Sequence, residues 1–469
     1  MTFPYGRAPA VAINSSGATA AAGKVRMRRA LTLMGMTVAA PGSAQLVAGD
    51  KRVGRVALGA FAAALFAGVV VVVVALWKPD ALIALFTRLW VLRVLRFALI
   101  AYALGWAYLL IDAWRLGNPL GLARKQRLLI TGLNGLLCFS VTGALLFASN
   151  LVAVQRDFIH EVFGTGTASA ARDGRYNVLL LGGDAGPRRV GIRPDSITVA
   201  SIDERTGRTV LFGLPRNLAN VPFPEGSVMH TQFPHGFDCD GCYLNGVHTW
   251  AHDHEQLFPG AGDPGVEATT DAVEEITGLH MNYYVLIDLK GFQNLVDAVG
   301  GVTIKLREPI PIGSVDDITD TIPAGTRHLD GFEALWYARS RATSDDYSRM
   351  ARQKCLMNAM LHQLDPMTVV KNFGDIARAG KQVISTSIPA GELGQLASLS
   401  LKTRALPITT VSFVPPKVDT SDPNWTAIRS MVTKAVAASE DRDDGKKPAK
   451  RKKPKRKDAN SSDNLAGSC

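Results

Sequence analysis

Tyr176-Asn177-Val178-Leu179-Leu180-Leu181-Gly182-Gly183-Asp184 is an apolar run that stops at two glycines and an acid. A short run of this kind reads as a buried strand feeding a loop. Downstream, Ser196-Ile197-Thr198-Val199-Ala200-Ser201-Ile202 reads as a second strand, and Thr209-Val210-Leu211-Phe212 as a third that Gly213 and Pro215 end. The Asp203 to Gly207 stretch predicts the turn of a hairpin between those two. Further on, Glu267 to Thr277 reads as a helix, Tyr283 to Asp288 as a strand, Gly291 to Ala298 as a helix and Val302 to Leu306 as a strand. Asp330 to Tyr337 and Asp346 to Leu364 read as helices. Strands alternating with helices predict an α/β layered domain.

Upstream, the character of the chain changes. Val56 to Trp77 and Leu128 to Val154 carry no charge, and Val94 to Ala113 holds only Arg96 and Asp112 near its ends. Each is long enough to cross a bilayer, which takes about 20 residues. Ala30 to Gly49 is also apolar but is broken by Pro41-Gly42-Ser43, and reads as an interfacial or re-entrant element. With three spans, both basic segments fall on the cytoplasmic side, 1–55 and the 115–127 loop with Arg115, Arg124, Lys125 and Arg127. The globular part then lies outside, although Arg88 and Arg93 in the outer loop argue weakly against this, and a fourth span would break the parity. The expected organisation is a cytoplasmic basic tail (1–52), disordered over its first 29 residues; a membrane module (53–154); a connector (155–174); an extracytoplasmic globular domain (175–436); and a disordered basic tail (437–469).

The net charge of +11 has to be divided before it means anything. Residues 1–152 carry 16 Lys/Arg against 3 Asp/Glu, whereas 153–438 carry 26 against 32. The globular part is mildly acidic, so no general nucleic-acid surface is expected on it. Any anion site there must be built locally. Asp184 and Asp195 lie just beyond strand ends, with Arg193 and Arg216 close in sequence. In an open α/β sheet, polar residues at the carboxyl ends of strands line the ligand crevice. Asp195 enters its strand rather than leaving it, so it meets Asp184 only if the two strands are antiparallel or offset. Arg339, Arg341, Asp345, Asp346, Arg349, Arg352 and Gln353 form a second cluster, in which Arg349 shares a helix face with Arg352 and Gln353. Converging guanidiniums repel unless an anion neutralises them, and arginine's planar fork suits phosphate. The paired carboxylates add the expectation of Mg²⁺. The competing reading is a solvated surface of salt bridges in which Asp345 and Asp346 pair with Arg349.

From Tyr176 to about Val414 the chain resembles the LytR-CpsA-Psr catalytic domain. The resemblance rests on several pieces in order: Leu179-Leu180-Leu181-Gly182-Gly183-Asp184, Arg193-Pro194-Asp195-Ser196, Leu214-Pro215-Arg216, Asn245-Gly246, Tyr283-Tyr284-Val285, Leu295-Val296-Asp297-Ala298-Val299-Gly300-Gly301-Val302, Leu329-Asp330-Gly331, Ala334-Leu335-Trp336-Tyr337-Ala338-Arg339-Ser340-Arg341, and Asp346 with Arg349, Arg352 and Gln353. It implies an α-β-α layered domain around a mixed sheet, and a phosphotransferase. That enzyme would move a glycopolymer from a polyprenyl-pyrophosphate carrier to a peptidoglycan hydroxyl, with the prenyl chain in an apolar tunnel. Asp184 and Asp195 would hold Mg²⁺. Arg193, Arg216, Arg339 and Arg341 would bind the pyrophosphate, and Arg189, Arg349, Arg352 and Gln353 would complete its pocket. Membrane lipids are the remaining implied partners. One departure is Asn217, where the family usually has Asp; a neutral amide can orient Arg216 but cannot supply charge. Two rival readings use the same residues: a hydrolase of the prenyl pyrophosphate, and a non-catalytic envelope regulator.

Cys239-Asp240-Gly241-Cys242 with His248 and His252 invites a zinc reading, but the five-residue gap from Cys242 to His248 is short for a zinc finger. Outside the cytoplasm a disulfide is the better expectation, with Cys355 as an alternative partner. His248, His252 and His254 are then expected at the surface. Cys138 lies in a span and Cys469 ends the sequence, and no role is expected for either. Lys446 to Lys457 holds nine basic residues and no acid, a composition suited to anionic polymer or lipid headgroups or to simple solvation.

Overall fold

The computed structural model describes residues 15–163, 168–183, 193–314, 316–342, 344–363, 384–440 and 465. Contacts divide the chain into two compact units, Met1–Leu82 with Trp90–Ala153, and Ile83–Leu89 with Val154–Cys469.

The N-terminal region is helical: α1 (Ser15–Ala39), α2 (Ser43–Ala48), α3 (Lys51–Trp77), α4 (Pro79–Phe86), α5 (Leu89–Leu116) and α6 (Arg124–Val162). Three of its helical stretches, Lys51–Trp77, Leu89–Gly121 and Arg124–His160, are long and apolar enough to cross a membrane. On α3, Phe66, Val69, Val72, Leu76 and Trp77 stand exposed, a contiguous apolar surface that suits lipid rather than water. Residues from Ser15 onward are helix where composition suggested a disordered tail. Alanine-rich sequence favours helix, and the helix gains contacts: Ala30 and Met34 are buried with Leu122 and Ile130. Trp106 Nε1 donates to Thr37 O at 3.1 Å, and Arg26 Nη1 to Gly121 O at 3.0 Å. The Pro41-Gly42 break turns the chain into α2, whose Gln45 Nε2 donates to Leu109 O at 3.0 Å and to Asp112 at 3.2 Å. Residues 30–49 thus form two helices packed on α5.

In the second unit, β1 (Arg175–Gly183), β2 (Pro194–Asp203) and β3 (Thr209–Leu214) form the centre of the sheet. There follow α7 (Val228–Gln232), α8 (Leu244–Asp253), α9 (Pro264–Thr277), β4 (Tyr283–Asp288) and α10 (Leu289–Ala298). Next come β5 (Val302–Leu306), β6 (Ile310–Gly313), β7 (Ile318–Ile322), β8 (Gly325–Leu329), α11 (Gly331–Arg339) and α12 (Asp346–Gln363). The described elements close with β9 (Ile384–Thr386), α13 (Leu393–Arg404), β10 (Thr409–Ser412) and α14 (Trp425–Glu440). The main sheet runs β10-β3-β2-β1-β4-β9. It is mixed: β2 is antiparallel to β1 and β3, whereas β4 is parallel to β1 and β10 to β3. The expected hairpin is present, with Asp203 Oδ1 accepting from Thr206 N at 2.7 Å and Gly207 at φ 78°. Sequence reading missed β6, β7, β8, β9 and β10. In β7 the side chains from Ile318 to Thr321 are exposed and only Ile322 is buried, so no apolar pattern announces it.

Alternate residues send each strand's side chains to opposite faces. Leu179, Leu181, Ile197, Val199, Val210, Phe212 and Leu214 point to one face, packing with α8, α9 and α14 in the largest core. The other face carries Tyr176 and Val178 in one cluster and Ala200 and Leu211 in another. Helix α12 lies over this second face. Its Met357 and Leu361 touch the sheet cluster, while Cys355, Leu356 and Ala359 join a separate core with β5, β6 and α11.

Candidate active site

Because β1 and β2 are antiparallel, Gly183 at the end of β1 pairs with Pro194 at the start of β2. The end of one strand, the start of the next and the end of β3 therefore share one edge of the sheet. This is the condition under which acids after Gly183 and after Pro194 become neighbours. Asp184 and Arg189 lie outside the described residues. Asp195 is described, and its Oδ1 accepts from Arg216 Nη1 at 2.6 Å and from Asn245 Nδ2 at 3.5 Å.

Arg216 is the bridge of the site. Its Nε donates to Asp346 Oδ1, 130 residues further along the chain, at 3.0 Å, so one guanidinium joins β2 to the start of α12. Arg349, one turn into α12, donates to Asp346 Oδ2 at 3.1 Å with a side chain only 3% exposed. Its Nε has no partner among the described residues. Arg341 approaches Asp346 Oδ1 at 4.0 Å from solvent. Burial alone would raise the Asp195 carboxyl, but the hydrogen bond and charge of Arg216, then Arg349 and Asn245, hold it below the usual carboxylate range. Burial pulls Arg349 below the usual arginine value, against the opposing pull of Asp346 and Asp195. In Arg216 the balance is reversed: burial would lower it, and the two aspartates raise it.

The other expected site residues fall differently. Arg193 is exposed at the mouth of β2. Arg339 is half-buried with its guanidinium 5.0 Å over the Trp336 ring. Arg352 spends its donors on the α11–α12 turn: Nε on Tyr337 O at 2.8 Å, Nη1 on Ser344 Oγ at 3.1 Å and Nη2 on Ser340 O. Gln353 Nε2 donates to Ala338 O at 3.2 Å. These two tie α12 to α11 by main-chain carbonyls. Asn217 does not touch Arg216 in any hydrogen bond given by the geometry; its Nδ2 reaches Thr420 Oγ1 at 3.4 Å, and Thr420 in turn meets Tyr347 OH at 2.9 Å. The Asp345–Arg349 pair of the competing surface reading gives way to a cap, in which Asp345 Oδ1 accepts from Ser348 N at 2.7 Å.

Two residues outside the expected roles prove central. Asp346 is the common acceptor of the arginines, and Asn245 at the start of α8 holds Asp195. Both were visible in the sequence motifs, Asp346 by its three-residue spacing to Arg349, but nothing local says which partner each meets. Among the described residues no three His, Cys, Asp or Glu side chains gather as a metal cage. A cage is not what Mg²⁺ requires: one or two carboxylates plus substrate phosphate suffice, and Asp195 offers a carboxylate held ionised.

Cys239 and Cys242 form a disulfide, with Cα atoms 5.1 Å apart. His248 is not at the surface. It is 2% exposed on α8, where Gly265 leaves space for its ring; a Cβ there would lie 2.5 Å from His248 Cε1.

A sequence model of the LytR_cpsA_psr family matches residues 150–435. The protein named "Probable cell wall biosynthesis protein LcpB" of Corynebacterium glutamicum is 31% identical over 246 residues, 51% of this chain and 50% of LcpB. A "Polyisoprenyl-teichoic acid--peptidoglycan teichoic acid transferase TagU" from Oceanobacillus iheyensis is 26% identical over 203 residues, 43% of this chain and 55% of TagU. The chain thus spans about half the length of these curated relatives. The solved structure of Bacillus subtilis TagV is 22% identical with a TM-score of 0.42, over 58% of this chain and 98% of that one. The family match covers more than half of the sequence and includes the whole Asp195–Arg216–Asp346–Arg349 constellation: the chain belongs to the LytR_cpsA_psr family.

Proposed function

We propose that this protein is a membrane-anchored phosphotransferase that moves a glycopolymer from a polyprenyl-pyrophosphate carrier to a peptidoglycan hydroxyl. The observation that carries the reading is Arg216 held between Asp195 and Asp346, with buried Arg349 on the same carboxylate. Guanidiniums this close need anions beside them, and the aspartates keep them in place until a pyrophosphate arrives. Arg341 and Arg193 are exposed and free to swing onto it. The names of the relatives, a cell wall biosynthesis protein and a teichoic acid transferase, agree with the substrate class. The apolar second face of the sheet, lined by Ala200, Leu211, Met357 and Leu361, suits a prenyl chain.

In the proposed reaction the acceptor oxygen attacks the phosphorus that carries the sugar. The bond from that phosphorus to the bridging oxygen breaks, polyprenyl phosphate leaves, and the hydroxyl proton passes to a base. Such transfers depend on positioning and charge neutralisation more than on covalent help. Arg216 and Arg349 hold the charge at fixed places, and Arg341 reaches the leaving phosphate. Asp195, with Asp184 as expected partner, would hold Mg²⁺, which would neutralise phosphate oxygens when bound. The Cys239–Cys242 disulfide agrees with an oxidising compartment and hence with the domain lying outside, the N-terminus in the cytoplasm.

The test follows label from lipid-linked polymer into peptidoglycan while measuring phosphate release by the detergent-extracted protein. Polymer appears on peptidoglycan only with wild type, and Arg341→Ala loses it. Phosphate release without transfer under every donor tried would instead establish the hydrolase. Full restoration of wall-polymer attachment by Asp184→Ala and Arg341→Ala in a deletion strain would establish the non-catalytic regulator.

A further inference from the structure

Arg216 and Asn217 are neighbours just beyond the end of β3, and Asp346 and Tyr347 are neighbours at the start of α12. Each neighbour pair takes part in two separate links between these elements. The ionic link runs from Arg216 Nε to Asp346 Oδ1 at 3.0 Å. The neutral link passes through Thr420: Asn217 Nδ2 donates to its Oγ1 at 3.4 Å, and Tyr347 OH lies 2.9 Å from the same oxygen. Thr420 is 7% exposed, so these bonds are shielded from water. Its main chain is held as well. Thr420 O accepts from Ala219 N at 3.0 Å, and Val418, two residues earlier, is buried in the largest core. The bonds of Arg352 and Gln353, by contrast, fasten α12 to α11 rather than to the sheet.

We infer that Thr420 is a positioning residue of the phosphate site: its hydroxyl is a neutral strut that holds the first turn of α12 against the end of β3 when the ionic link is given up to substrate. A hydroxyl can accept from the Asn217 amide and still exchange a hydrogen bond with Tyr347. The amide at 217 serves as the donor of this chain, a part an ionised carboxylate cannot play.

The role rests on the function proposed above. A pyrophosphate that draws Arg216 and Arg349 onto its oxygens weakens their hold on Asp346, and so loosens the ionic link between α12 and β3. The amide and the two hydroxyls carry no net charge, so the anion exerts no comparable pull on them. With the strut in place, both arginines stay where the empty site held them. Without it, the bound form keeps the first turn of α12 in register only part of the time. A competent fraction of about one tenth weakens binding about tenfold. The empty protein retains its ionic link and changes little.

The test uses full-length protein in detergent and measures binding of tritiated geranylgeranyl pyrophosphate, together with the melting temperature of the empty protein. Thr420→Val and Tyr347→Phe each keep the side-chain shape and remove a hydroxyl. Each should bind the probe about tenfold more weakly than wild type, with a melting temperature within a few degrees of it. The double variant should be no weaker than either single one, because both cut the same link. Thr420→Ser, which keeps the hydroxyl without the methyl, should bind within about twofold of wild type. If Thr420→Val does not fold, Tyr347→Phe decides alone. A hydroxyl that serves only stability would lower the melting temperature and leave the affinity of the folded protein unchanged, and that result would overturn the strut. A loss of affinity that Thr420→Ser does not repair would overturn it too. In both cases wild type still binds and the phosphate site stands. A wild type that binds no probe overturns the strut together with the function on which it rests.

Discussion

Arg349 and Arg352 stand three residues apart on α12, and their environments are opposite. Arg349 faces Asp346 and, beyond it, Arg216 and Asp195. Arg352 faces the turn after α11, where the Tyr337 and Ser340 carbonyls and the Ser344 hydroxyl take its donors. A carboxylate partner can be shared with an incoming anion or a cation. A buried main-chain carbonyl cannot be released without leaving an unsatisfied acceptor. The same residue type therefore builds a site in one place and a joint in the other. The carboxylates make a similar pair. Arginines keep Asp195 ionised, whereas Asp271 in α9 has only burial and its neighbours Glu267 and Glu274, which push it up to about 6.

The sharpest way to break this comparison is to remove the bridging guanidinium. Arg216→Ala should cut transfer by about 10²–10³-fold, the scale of losing one preorganised charge donor, with a melting temperature within a few degrees of wild type. Loss of the fold instead of activity would make Arg216 a joint like Arg352. Next comes Arg352→Met, expected to lower stability by about 2–3 kcal/mol because it strands two buried carbonyls. Denaturant melts read this, and the folded fraction should retain its pyrophosphate affinity; a selective loss of affinity would move Arg352 into the site.

Asp271→Asn tests the carboxylate pair. With its pKa raised to about 6 in the fold, above the roughly 3.9 of an unfolded chain, the protonated form is favoured. Its stabilising contribution is complete below about pH 4 and is lost as pH rises through about 6. The variant should therefore match wild type near pH 4 and exceed it by about 1–2 kcal/mol at pH 7.5, after allowance for partial exposure. Equal melting temperatures at both pH values would show that Asp271 carries no such burden. The smallest effect is expected from Asp330→Ala, which removes the capping box of α11 with Glu333. A loss of about 1 kcal/mol with unchanged transfer would show that α11 supports Arg339 and Arg341 without being part of the chemistry.

Much of this was legible in the order of residues alone. The membrane helices follow from uncharged apolar length, and β1, β2, β3 and β4 from short β-branched and aliphatic runs bounded by turn residues. Those signals are local, because a backbone must satisfy its hydrogen bonds within or beside its own segment. Asp195, Arg216, Arg349 and the Cys239–Cys242 pair were also visible as candidates. What the order of residues did not determine was partnership. That Arg216 spans Asp195 and Asp346, that Arg352 closes a turn and that His248 is buried against Gly265 all depend on packing between segments far apart in sequence. A guanidinium has the same composition in a site, a joint or a solvated surface; only the groups brought opposite it by tertiary structure decide whether its charge is held for a ligand or consumed by the fold.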